Sequence, residues 1–204
     1  MENLVNIQYA QTGASSNEDA LGMREMQRLV YEQRSRQYLL VKAPPASGKS
    51  RAMMFVALDK LANQGIKKVI VAVPEKTIAR SFQNTKLIPG GFFADWEVSP
   101  GYNLCAAGLQ ESGLRQKFID FLDSDASVLI CTHSTFRNAL KELDVAKLNG
   151  TFIGIDEFHH TSADERNNLG TVLRSIMSES NAHILAMTGS YFRGDAVPVM
   201  RPED

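Results

Sequence analysis

Apolar residues along the chain fall into short blocks separated by longer amphipathic stretches. Residues 38–41 (YLLV), 68–73 (KVIVAV), 127–131 (SVLIC), 152–156 (FIGID) and 183–188 (HILAMT) are such blocks. Brief and apolar, they predict strands, 38–41 a buried one and 68–73, β-branched and apolar on both faces, an inner parallel one. The stretches between them carry helical spacing. Residues 16–34 place Leu21, Met26, Leu29 and Val30 on one side, with Ser16 and Asn17 as candidate N-caps. Residues 50–64 form a second predicted helix, stopped by Gly65. Pro74 ends the second strand and a helix is expected over 75–84. Leu114, Phe118, Ile119 and Leu122 share a face within 111–124, and further helices are predicted over 134–147 and 162–178. Five apolar strands alternating with helices predict an α/β fold, a parallel sheet covered by helices on both faces. The order of the strands is not encoded in this pattern.

Composition narrows the function classes. With 204 residues, 44% hydrophobic and 22% charged, the chain can bury a real core and is too apolar to be disordered. No apolar run nears the roughly 20 residues that span a bilayer, so no membrane partner is expected. The first residues lack a basic region followed by an apolar stretch, so no secretory signal is read. Cys105 and Cys131 cannot make a disulfide framework and are expected as reduced thiols in a cytoplasm. Lysine and arginine number 22 against 23 acidic residues, a net charge of −1. Any nucleic-acid site must therefore be local and weakly charged.

Two motifs carry chemistry. The strand 38–41 runs into Ala43-Pro44-Pro45-Ala46-Ser47-Gly48-Lys49-Ser50 and then a helix. This is the strand, loop and helix setting of a phosphate-binding loop. Backbone N–H groups over Ala46, Ser47 and Gly48 and the helix N-terminus can hold an anion. Lys49 supplies a point charge to β and γ oxygens of ATP, and Ser50 a hard hydroxyl ligand for Mg²⁺. Ala43 stands where the usual pattern has its first glycine. The strand 152–156 delivers Asp156-Glu157-Phe158-His159-His160. Adjacent carboxylates at the end of an apolar strand are costly unless a cation meets them. The reading assigned is Asp156 for Mg²⁺ and Glu157 for orienting or deprotonating the attacking water, with capping of the next helix as the plainer alternative. A zinc site on His159 and His160 fits poorly, since adjacent histidines cannot easily face one ion. The stretch 85–110 is the least legible; Phe92, Phe93, Trp96 and Tyr102 there either stack on bases or pack against the sheet.

In order along the chain, these motifs resemble the first RecA-like lobe of superfamily 2 helicases and translocases. Residues 43–50 are similar to motif I, residues 156–159 to the DExH form of motif II, and Thr188-Gly189-Ser190 to motif III. The following Tyr191-Phe192-Arg193-Gly194-Asp195 resembles the tail seen in restriction-enzyme motor subunits and DNA-repair relatives, with Tyr191 in place of a proline. The resemblance spans about residues 20–197 and implies a P-loop NTPase fold. It implies that Gln27, within Arg24-Glu25-Met26-Gln27, reads the adenine edge with Arg24 beside it. Pro74, Lys76 and Thr77 resemble motif Ia, and Thr132, His133 and Ser134 motif Ib, the elements that grip a nucleic-acid backbone. Helix N-capping is the alternative use of Thr77, Thr132 and Ser134. His159, Thr188 and Ser190 would couple the nucleotide state to the second lobe.

The resemblance implies residues 1–17 as an N-terminal arm, 18–197 as the ATP-binding domain and 198–204 as the start of a linker. The expected partners are nucleic acid, DNA rather than RNA, and a second RecA-like lobe. Without the arginines of that lobe, the chain alone is expected to bind ATP weakly and hydrolyse it very slowly. The rival readings are a P-loop small-molecule or nucleotide kinase and a nucleic-acid-binding module independent of ATP.

Overall fold

The computed structural model describes residues 18–158 and 169–189. Its elements run α1 (Glu25–Glu32), β1 (Tyr38–Lys42), α2 (Lys49–Asn63), β2 (Lys68–Val73), α3 (Glu111–Asp123), β3 (Val128–Thr132), α4 (His133–Leu140), β4 (Thr151–Ile155), α5 (Leu169–Glu179) and β5 (His183–Thr188). All five strands pair in parallel in the order β1-β5-β4-β2-β3. The expected parallel sheet is therefore present.

Alternation along each strand sends successive side chains to opposite faces. Val69, Val71 and Val73 of β2 join one apolar cluster with Met26 and Val30 of α1 and Met53 and Val56 of α2. Ile70 and Ala72 join a second cluster with Phe118 of α3, Phe136 of α4 and Ile176 of α5. Each fully buried aliphatic or aromatic side chain contributes about 1.5–3 kcal/mol. Gly154 sits where β4 passes under α2; a Cβ there would fall 2.3 Å from Met53 Sδ.

Several boundaries differ from the sequence pattern. The first helix begins at Glu25, because Gly22 turns the chain at φ +71° and the Asp19 carboxylate accepts the N–H groups of Leu21 and Met23. Ser16 and Asn17 lie outside the described residues. The segment after Pro74 is a 3₁₀ turn, Ile78–Phe82, and the stretch 134–147 divides into α4 and a second 3₁₀ turn, Val145–Leu148. Gly65 does follow α2, at φ +71°. The strand expected to be buried, β1, lies at the sheet edge, leaving Tyr38 and Leu40 exposed among the described residues. An apolar run alone does not tell an inner strand from an edge strand.

Residues 85–110 use most of their aromatics for packing. Trp96 is fully buried and its indole N–H donates to the Phe82 carbonyl (2.8 Å). Phe92 lies edge-on against Phe55 and Tyr31, and Tyr102 packs against Phe121; Phe93 remains half exposed. The same segment satisfies the outer edge of β3, where Leu104 N–H donates to Ile130 O (2.8 Å) and Ile130 N–H to Tyr102 O (3.0 Å).

Candidate nucleotide and nucleic-acid site

The C-terminal end of β1 passes into the phosphate-binding loop, pinned by Ala43 N–H donating to Thr188 O (3.0 Å). Two residues of the loop take left-handed backbone, Ala46 at φ +61° and Gly48 at φ +88°. Gly48 also has no room for a side chain, since a Cβ would stand 2.4 Å from Gln27 Nε2. Gly48 is the N-cap of α2, so the positive end of a fifteen-residue helix opens on the loop.

Gln27 is buried and joins α1 to this loop: its Nε2 donates to Gly48 O (3.1 Å) while its Oε1 accepts the Arg24 N–H (2.9 Å). Arg24 is exposed beside it and Ser50 is half-buried. The buried Ser47 hydroxyl has no hydrogen-bond partner among the described residues.

Lys49, the first residue of α2, is buried and turns back over the loop. Its Nζ donates to Ala43 O (3.1 Å) and Pro44 O (3.3 Å) and pairs with Glu157 Oε1 at 3.1 Å. Glu157 adopts φ +49°, a conformation costing of order 1–3 kcal/mol for a residue other than glycine. Its Oε2 accepts the Gly189 N–H (3.2 Å) at the end of β5. Glu157 thus bridges the loop lysine and the last strand. Neither the strain nor this bridge is marked in the sequence.

Asp156 extends the β4 ladder, donating its N–H to Ala72 O (2.9 Å). The residue is 4% exposed, and its buried Oδ1 has no hydrogen-bond partner among the described residues. Burial first, then the neighbouring Glu157 charge, pushes its carboxyl up to about 6, with Lys49 opposing. A buried carboxylate oxygen with no donor fits a cation as its missing partner. Among the described residues no group of three or more His, Cys, Asp or Glu side chains converges. A cation here would draw on Asp156, Ser50 and oxygens from outside the protein, as suits Mg²⁺.

Thr188 is buried at the end of β5, paired in register with Lys42. His159 and Ser190 lie outside the described residues, as do His160 and the 191–195 tail. Past β2, Pro74 is half-buried and Lys76 and Thr77 are exposed, the Thr77 hydroxyl lying 3.5 Å from Glu75 Oε2. Past β3, Thr132 caps α4: its hydroxyl accepts the Thr135 N–H (3.2 Å) and meets the Ser134 hydroxyl at 2.8 Å. His133 is buried and Ser134 exposed. Both groups lie past the C-terminal ends of their strands, as the phosphate-binding loop does, because every strand runs the same way. Among the described residues no helix is long and apolar enough to cross a membrane.

The chain is similar to known proteins in sequence and in fold. YeeB of Bacillus subtilis (strain 168), which carries a provisional ATP-dependent helicase name, is 56% identical over 204 residues, all of this chain and 34% of YeeB. A Sulfolobus islandicus filamentous virus protein (isolate Iceland/Hveragerdi), provisionally named helicase 22, is 29% identical over 159 residues, 76% of this chain and 25% of its own length. The chain thus spans about a third of the length of YeeB and a quarter of that of the viral protein. Among solved structures, the Pyrococcus furiosus Hef helicase domain superposes with a TM-score of 0.58 at 19% identity, covering 89% of this chain and 34% of its own. The UvsW helicase from bacteriophage T4 gives 0.53 at 18%, covering 82% and 52%. The type ISP restriction-modification enzyme LlaGI, solved with a DNA substrate mimic, gives 0.52 at 14%, covering 89% and 19%. These structural likenesses show a RecA-like α/β fold. The DEAD/DEAH box helicase family matches residues 24–194, and the chain belongs to that family.

Proposed function

We propose that this chain is the ATP-binding motor lobe of a superfamily 2 DNA helicase or translocase, in which ATP hydrolysis drives movement on nucleic acid in the whole protein. The observation that carries the reading is the meeting of Lys49, Glu157 and Gly189 beside a buried Asp156 oxygen without a donor.

The residues divide the work. N–H groups of the loop and the α2 N-terminus hold phosphates, and Lys49 exchanges Glu157 for their β and γ oxygens. Asp156 and Ser50 hold Mg²⁺, which neutralises charge on the phosphates. Glu157, released from Lys49 and steadied by the Gly189 N–H, accepts a hydrogen bond from the attacking water. Gln27 and Arg24 face the adenine. Thr188, with His159 and Ser190, carries the nucleotide state toward the nucleic-acid side. Pro74, Lys76, Thr77, Thr132 and Ser134 flank the backbone path, with His133 beneath. Hydroxyls and helix N-termini suit a chain of near-neutral charge. A second lobe supplies the arginines that complete the transition state. The buried free thiols of Cys105 and Cys131 are compatible with a cytoplasmic setting.

The test is phosphate release from ATP by the full-length protein, with and without DNA or RNA. Release to water stimulated by DNA is expected. Transfer to a small acceptor, or turnover indifferent to every nucleic acid, would overturn the reading.

A further inference from the structure

A cleft of about 530 Å³ is lined by Gln83 and Asn84, which come after the motif Ia segment, and by residues of the 98–109 stretch, which meets β3 just before motif Ib. That is within the roughly 300–1,000 Å³ of ligand sites. The residues lining it include Gln83, Asn84, Ser99, Asn103, Ala107 and Leu109. Among the described residues none that lines it is charged.

Its position follows from the chain. Gln83 directly follows the 3₁₀ turn Ile78–Phe82 that begins next to Thr77. Asn103 bridges Ile130, two residues before Thr132. Lys76 is near enough for its charge to act on the thiol of Cys105, which follows the lining residue Asn103 by two positions.

The amides are oriented by their surroundings. Asn84 Oδ1 accepts the Val98 N–H (2.8 Å) and Asn103 Oδ1 accepts the Cys105 N–H (3.1 Å). A backbone N–H can be met only by the oxygen, so each amide is fixed and its NH₂ group remains a donor. Among the described residues no hydrogen bond uses either NH₂ group.

We propose that this cleft receives a nucleobase from a single strand whose backbone is held at motifs Ia and Ib. The inference rests on the nucleic-acid reading above. A phosphate would find no charge in the cleft, whereas a base offers a flat apolar face and ring and carbonyl acceptors for fixed amide donors.

The test uses the full-length protein and two labelled strands of equal length, an oligothymidylate and an abasic sugar-phosphate chain, with binding followed by fluorescence anisotropy. The wild type should prefer the base-bearing strand by about tenfold. Ala107→Leu fills the cleft from an exposed position, and Asn103→Asp keeps the accepting oxygen while removing the NH₂ donor. Both variants should bring the preference close to unity, with abasic-strand binding by Ala107→Leu unchanged. A preference that survives in both variants would overturn the proposal while leaving the backbone path intact. Failure of the wild type to bind either strand would overturn the nucleic-acid reading and the cleft together.

Discussion

The two ends of α2 handle buried charge in opposite ways. At its N-terminus, Lys49 pairs with a backbone-strained Glu157, and the neighbouring Asp156 and Ser47 oxygens are buried without partners. At its other end, Asp59 and Lys60 are as deeply buried, yet their groups are met. Asp59 accepts from Tyr31 (3.1 Å), Asn63 (2.8 Å) and Gln64 (2.7 Å), with Arg34 at 3.4 Å. Lys60 donates to Arg36 O (3.0 Å) and Gln64 Oε1 (3.1 Å) and meets His183 Nδ1 at 2.7 Å. This second network ties α1, α2 and the start of β5 together. A closed set of bonds fixes structure, and a set with oxygens still awaiting donors or a cation marks where a ligand belongs.

That comparison can be broken at either end. The largest effect is expected from Glu157→Gln, which keeps the shape but removes the charge that orients water. Phosphate release by the full-length protein should fall about 10²–10⁴-fold. Nucleotide affinity should hold or rise, because Lys49 loses its competing partner. A loss of binding equal to the loss of turnover would place Glu157 in binding instead.

Next comes Lys60→Met. It leaves His183 Nδ1 and the Arg36 carbonyl without their donor, so denaturant unfolding should show a loss of about 2–4 kcal/mol. Nucleotide affinity should stay within about twofold. A selective loss of nucleotide affinity at unchanged stability would erase the distinction between the two ends.

The smallest effect concerns pH. Burial, and then the Lys60 charge, hold His183 below the usual histidine range of about 6.5, so the folded chain binds fewer protons there than the unfolded one. Stability therefore rises with pH through that window and falls as pH drops below about 6.5. Asp59 adds to the acid loss in the carboxylate range: burial raises its carboxyl, but hydrogen bonds from Gln64, Asn63 and Tyr31 outweigh that and hold it low. Lys60, pushed down to about 8 by burial, makes stability rise again between about pH 8 and 10.5. His183→Asn should flatten the step near neutrality in a series of melts, and an unchanged step would assign it to another group.

How legible each feature was depended on how far apart in sequence its parts lie. The loop 43–50 and the pair Asp156-Glu157 are contiguous, and their chemistry follows from residue type and from the strand before each. The bridge from Lys49 through Glu157 to Gly189 joins three strand ends, and nothing local announces it. For the same reason β1 reads as buried although it lies at the sheet edge, since strand order is a matter of long-range pairing. The aromatic-rich 85–110 segment was opaque because packing and base stacking call for the same residues. The contacts of Trp96 with Phe82, of Phe92 with Phe55 and Tyr31, and of Tyr102 with Phe121 decide for packing there. Gln27 was picked out for adenine, yet its amide already links the α1 N-terminus to Gly48, a second task that spacing does not reveal.

The central claim, that the open end of α2 is the nucleotide site, is tested most directly by calorimetric titration of a non-hydrolysable ATP analogue with Mg²⁺ into the full-length wild type and Lys49→Ala. The wild type should bind saturably and the variant should lose roughly a hundredfold or more, from removal of charge-assisted bonds to phosphate. Equal affinity in the two proteins would contradict it.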